Sequence, residues 1–351
     1  MPQRFLAPLI LALALGPGLA AAEEPCAPVK PCEIPDDDAA PPPPETPADL
    51  GADARALFDL VSCRGRPPAG LDAAAVREFC GRQAPRLGRA HRAAAAFDAL
   101  LTPLRPDRLP SAAVSPLSDA GLLRALLAYP GARNVTTLSP RRAGDPRLLP
   151  RLADPGRLRA FLSAVEADTE KLVRGAGGGA GGEAGALPVL LLAAAVAGQE
   201  PAALRFFRVE PAGTLHYLGP KELANLEEAG GAGAFSSCEL ELVRPGQAAK
   251  AVTVRHLAAD LSDRGTAADP GPLAHLALKG PFAALLEEAG ALGGDGYGRL
   301  RALLLSRSAC LVTDGTGPAA DELRKAGLTV EVRSLPGAGK DAVVAVARRS
   351  G

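Results

Sequence analysis

The sequence predicts a mixed α/β fold: a sheet with Rossmann-like βαβ units and antiparallel hairpins, preceded by a small helical region. Three observations carry this. Residues Ser111 to Ser139 read as strand, loop, amphipathic helix and second strand. Residues 204–256 carry two hairpin signals, and the last fifty residues alternate helix and strand. Parallel units beside hairpins imply a mixed sheet with helices on its faces.

The chain opens with MPQRFLAPLILALALGPGLAAAEE, a single arginine, an apolar run and a small-residue site. That order predicts a secretory signal peptide over residues 1–22, cleaved after Ala22. The apolar run is too short and too interrupted by Pro8 and Gly16-Pro17-Gly18 for a membrane span, so no transmembrane segment is expected after cleavage. Glu23-Glu24-Pro25 separate Cys26 from the cleavage site, so no lipid attachment signal is read. Residues 23–50, with Asp36-Asp37-Asp38 and Pro41 to Pro44, hold too little apolar surface to order themselves and predict an extended, disordered spacer. The expected location is periplasmic or secreted.

The helical region spans residues 51–110. Ala54, Leu57, Phe58 and Val61 share one helical face. Leu71, Ala75, Val76 and Phe79 form a second stripe that ends at Cys80, and Ala93, Phe97, Leu100 and Leu101 a third. The α/β domain covers residues 111–351. Val135 to Leu138 is β-branched enough for a strand, and Asp154-Pro155 is a helix start. Leu158, Phe161, Leu162, Val165 and Leu172 form that helix's buried face. A glycine-rich loop, residues 175–186, interrupts, and Leu187 to Ala197 reads as a helix buried on all sides. Glu210-Pro211-Ala212-Gly213 and Pro245-Gly246 turn the two hairpins. Leu300–Leu305 and Asp321–Ala326 read as helices, Ala309–Thr313, Leu328–Arg333 and Ala342–Ala347 as strands.

Lys and Arg number 39 against 39 Asp and Glu, which argues against a broadly basic nucleic-acid surface. Six cysteines in an exported chain favour disulfides, and no Cys-x-x-Cys occurs. Cys238 and Cys310 each begin an apolar strand and are expected to pair, with Cys26–Cys32 and Cys63–Cys80 as local bonds. Buried free thiols at Cys238 and Cys310 are the competing arrangement.

Several motifs come close to chemistry and stop short. Ser115-Pro116-Leu117-Ser118-Asp119-Ala120-Gly121 sits where a nucleotide- or S-adenosylmethionine-binding loop would place several glycines, and has one. The second strand ends in Leu138-Ser139-Pro140, without an acid to hold a ribose. No cofactor is therefore expected. Asp314-Gly315-Thr316-Gly317 resembles the strand end of haloacid dehalogenase phosphatases, with Thr316 where their second aspartate stands. Gly337-Ala338-Gly339-Lys340-Asp341 lacks the Ser/Thr and the first glycine of a phosphate-binding loop. His91, His216, His256 and His275 show no ligand spacing, and no metal site is expected.

Ala128-Tyr129-Pro130, Asn134 to Ser139 and Ala143-Gly144-Asp145-Pro146 together resemble a family of uncharacterised exported bacterial proteins. Arg205 to Tyr217 and Leu304 to Pro318 extend the resemblance over most of residues 111–318. Family members carry a Ser/Gly-Gly-x-Asp loop where this chain has Ser118-Asp119-Ala120-Gly121, and a paired acid where it has Thr313-Asp314. The resemblance implies export and brings no established activity.

Two functions follow as expectations. One is a non-catalytic exported protein that binds a partner or small ligand at the cell envelope. The other is an exported enzyme, a hydrolase, whose site joins the 115–121 loop with Asp119 to Asp260 and Asp314.

Overall fold

The computed structural model describes residues 45–174, 185–228, 235–287, 295–314, 317–334 and 343–349. The expected signal peptide, the expected spacer through Pro44 with Cys26 and Cys32, the glycine run 175–184 and the Gly337–Asp341 motif lie outside the described residues. Residues Glu45–Gly351 form one unit.

Ten strands build one mixed sheet in the order β4-β3-β5-β6-β2-β1-β7-β8-β10-β9. They are β1 (Ala112–Pro116), β2 (Asn134–Ser139), β3 (Glu200–Val209), β4 (Leu215–Tyr217), β5 (Ser237–Val243), β6 (Val252–Ala258), β7 (Phe282–Leu286), β8 (Ser308–Asp314), β9 (Leu328–Ser334) and β10 (Val343–Arg349). Strands β6, β2, β1, β7 and β8 run parallel; the pairs β3/β4, β3/β5, β5/β6, β8/β10 and β9/β10 are antiparallel. Both expected hairpins form. The expected α/β class is therefore present, with helices on both faces.

One face carries α1 (Gly51–Val61), α2 (Ala73–Leu101), α3 (Gly121–Ala128), α4 (Pro155–Arg174), α5 (Leu187–Val196) and, through Leu223, α6 (Pro220–Glu228). Their side chains join Val135, Leu204, Phe206, Leu240 and Val254 in one core, so the helical region does not stand apart from the sheet. Every residue of α5 is buried, as its uniform apolarity predicts. On the opposite face lie α7 (Asp263–Ala268), α8 (Gly271–Leu278), α9 (Gly298–Arg307) and α10 (Gly317–Lys325), over Leu138, Phe207, Leu257, Leu286 and Leu311.

The second and third expected stripes belong to one helix, α2, which runs 29 residues through Pro85. Proline inside a helix removes one backbone bond and costs about 3 kcal/mol. Contacts with α4 hold the helix across that point: Gln83 donates to Thr169 Oγ1 at 2.6 Å, and Arg82 and Arg86 pair with Glu166. Cys80 therefore lies within α2 and not at a helix end. Its bond to Cys63, with Cα atoms 5.5 Å apart, ties the start of α2 to the end of α1. Cys63 itself has φ 57°, the left-handed turn that ends α1, where its N–H bonds back to Leu60.

The expected spacer and the glycine-rich loop each have an end that is packed on the fold. The last spacer residues dock on the sheet: Ala48 and Leu50 N–H groups reach Leu218 and Leu204 carbonyls, and Asp49 Oδ1 accepts the Leu204 N–H. Gly185 packs so tightly that a Cβ there would lie 2.3 Å from the Ala143 carbonyl oxygen, and Ala186 is fully buried.

The expected Cys238–Cys310 bond is absent; both are free buried thiols. Each faces the same core, as the alternation predicted. Strand order separates them: β6, β2, β1 and β7 lie between β5 and β8. Five strand spacings amount to about 24 Å, far beyond disulfide reach.

Candidate functional site

In chain order the five parallel strands are β1, β2, β6, β7, β8, and in space they read third, second, first, fourth, fifth. The winding reverses between β1 and β7. Open α/β sheets receive ligands in the crevice at the carboxyl ends of the strands flanking such a reversal. Here that position holds the loop after β1, the loop after β2 with Arg141, and Glu287 directly after β7. Lys171 and Asp168 reach it from α4.

The β1 loop turns sharply at Leu117, whose φ of 69° is one of two positive values at non-glycine residues described. Ser118 Oγ then accepts the Gly121 N–H at 2.9 Å, and Asp119 Oδ1 accepts the Ala120 N–H at 2.9 Å. A helix start beside a switch point ordinarily offers these N–H groups to an anionic ligand. The chain's own Asp119 carboxylate takes that seat. Gly121 is required by packing: a Cβ would stand 2.3 Å from Ser115 Oγ and 3.2 Å from Glu287 Oε2.

Arg141 crosses the crevice. Its Nη1 meets Asp119 Oδ2 at 3.0 Å and its Nη2 meets Asp168 Oδ2 at 3.1 Å. Lys171 Nζ completes the set on Asp168 Oδ1 at 2.8 Å. The side chains of Arg141, Asp119 and Asp168 are 10%, 7% and 4% exposed. Two cations and two carboxylates leave no net charge, which is the condition for holding ions away from water.

Beside them, Ser115, Thr137 and His256 align across β1, β2 and β6, all fully buried. His256 Nε2 lies 2.7 Å from the Arg141 carbonyl, which can only accept, so Nε2 carries the proton. Nδ1 is then the acceptor for the Thr137 hydroxyl at 3.1 Å. Burial lowers the His256 pKa, which keeps the ring neutral. A hydroxyl beside an imidazole is a nucleophile–base geometry. This one is sealed, and its distal nitrogen is spent on a backbone carbonyl.

The three acids expected to form a catalytic site follow strands that share one sheet edge and are not neighbours in the sheet. Asp119 follows β1, Asp260 follows β6 and Asp314 ends β8. β2 separates Asp119's strand from that of Asp260, and β7 separates it from that of Asp314, each about 10 Å away. Asp260 is exposed and accepts the Ser262 N–H at 3.0 Å, a bond that lowers its pKa. Asp263 caps α9 by accepting the Gly298 and Arg299 N–H groups. His216 is exposed and pairs with Glu222. Among the described residues no group of three or more His, Cys, Asp or Glu side chains could hold a metal, and no helix is long and apolar enough to cross a membrane.

No family model, curated sequence or solved structure matches the chain.

Sequence reading missed Arg141, Asp168, Lys171 and Glu287. One signal was present. In α4, Asp168 and Thr169 fall between Val165 and Leu172 on the apolar stripe, and an acid at a core position demands a buried cation. Arg141 carried no such mark, and Glu287 depended on recognising β7.

Proposed function

We propose that this chain is a non-catalytic exported protein of the cell envelope, acting by binding a partner or small ligand. The observation that carries the reading is Asp119, whose carboxylate fills the anion seat at the helix start while Arg141 neutralises it. A catalytic carboxylate needs access to substrate, and Asp119 is 5% exposed. The Cys63–Cys80 bond and the signal-like N-terminus support export. The resemblance to exported bacterial proteins points the same way.

The hydrolase reading keeps one support, that Asp119 and Asp314 belong to the same carboxyl edge of the sheet. The test is equilibrium binding of ATP, NAD and S-adenosylmethionine to the exported chain, alongside turnover of ester and phosphoester substrates. The expected result is neither saturable binding nor turnover. Turnover abolished by Asp314→Asn, or cofactor binding created in the native protein, would overturn the proposal.

A further inference from the structure

The opposite face of the sheet, away from the closed crevice, carries a second charged group. Arg205 on β3, Glu239 on β5 and Arg255 on β6 are direct cross-strand neighbours. They alternate with Leu204, Cys238, Leu240 and Val254, which point into the helix-covered core. Glu239 accepts Arg255 Nε at 2.8 Å, Arg205 Nη1 at 3.4 Å and the Tyr217 hydroxyl. Burial and then Glu239 push the Tyr217 pKa up to about 12, so that hydroxyl remains a donor. The one carboxylate is thus fully engaged, with a side chain 9% exposed.

Lys279, just past α8, brings a third cation to this group and forms no ion pair among the described residues. Burial first, and then Arg255, pull its ammonium down to about 8. One turn earlier, His275 is 8% exposed, with Nδ1 2.8 Å from the Gly213 carbonyl and Nε2 without a hydrogen-bond partner among the described residues. Burial and the Lys279 charge hold His275 at about 4, so Nε2 offers a lone pair near neutrality. Arg205 and Arg255 remain 34% and 22% exposed, which leaves the group open to water.

We propose that this row is a binding site for a small oxyanion of the phosphate class, seated against Lys279, Arg255 and Arg205. Three cations face the occupied Glu239 carboxylate, with Glu241 the next acid on the same face of β5, so positive charge remains in excess. Arginine donors not aimed at Glu239 and the three ammonium hydrogens suit a tetrahedral oxyanion. Monohydrogen phosphate also carries a hydroxyl able to donate to His275 Nε2, which sulfate does not. The site lies on the other face from Asp119 and stands independently of the non-catalytic reading.

Isothermal titration of the exported chain with inorganic phosphate, and separately with sulfate, tests this. Saturable phosphate binding is expected, with weaker sulfate binding. Loss of one charge-assisted partner in Lys279→Gln should weaken phosphate by about tenfold or more. Sulfate keeps its charge between about pH 6.5 and about pH 9.5, so its affinity should fall across that range as Lys279 gives up its proton. Arg205→Gln should weaken both anions, and His275→Gln should reduce the preference for phosphate. Without anion, Lys279→Gln should melt no lower than the native chain, because it removes a repulsion against Arg255, and this separates binding from folding. Absence of saturable heat, or unchanged affinity in both Lys279→Gln and Arg205→Gln, would overturn the site. Binding to anionic lipid vesicles without any response to inorganic phosphate would overturn it in favour of a membrane surface.

Discussion

Replacing Arg141 by methionine removes the cation that spans Asp119 and Asp168 and keeps the volume of the stem. Among the described residues, Asp119 then loses its only charged hydrogen-bond partner and Asp168 keeps Lys171 alone. Both carboxylates are more than nine-tenths buried. Breaking a buried pair from one side costs about 3–5 kcal/mol, because a charge remains without compensation. Urea denaturation with the disulfide intact should show that loss near neutral pH. Arg141→Lys keeps the charge but not the fork and should fall between the two. A loss below about 1 kcal/mol for Arg141→Met would refute the account of the crevice as an ion-paired core.

The remaining predictions concern histidines and cysteines. His275 titrates near 4 when folded against 6.5 when unfolded, so its stabilising effect is complete above pH 6.5 and is lost as pH falls toward 4. The loss is roughly 3 kcal/mol and should shrink in His275→Gln, measured by denaturation across that window. Replacing Cys63 and Cys80 together by serine opens a loop of sequence separation 17 and should lower stability by about 3 kcal/mol in chemical denaturation. Burial raises the Cys238 thiol above the usual range and the Cys310 thiol to about 11. Alkylation without reductant should therefore modify both only after unfolding, and peptide mapping that finds them joined would contradict the strand order.

Periodicity and turn chemistry alone determined the α/β class, both hairpins, the buried α5 and the end helices, because these are local patterns of burial. The Cys63–Cys80 pair was legible as one of the local bonds, although its geometry was not. Strand β7 was not legible: Phe282-Ala-Ala-Leu-Leu286 is short and apolar, and such a run fits a helix as well as a buried parallel strand. Missing it hid the switch point, since β7 is the neighbour that defines the reversal beside β1. The second and third stripes were read separately where a single helix runs through Pro85, a local breaker overruled by ion pairs from α4. Only strand order decided that Cys238 and Cys310 lie far apart and that the strands before Asp119, Asp260 and Asp314 are not neighbours, and only the packing of α4 on the sheet brought Asp168 to Arg141. Alternation tells which face a side chain takes; lateral position depends on pairings between distant segments, and those are set by the packing of the whole sheet.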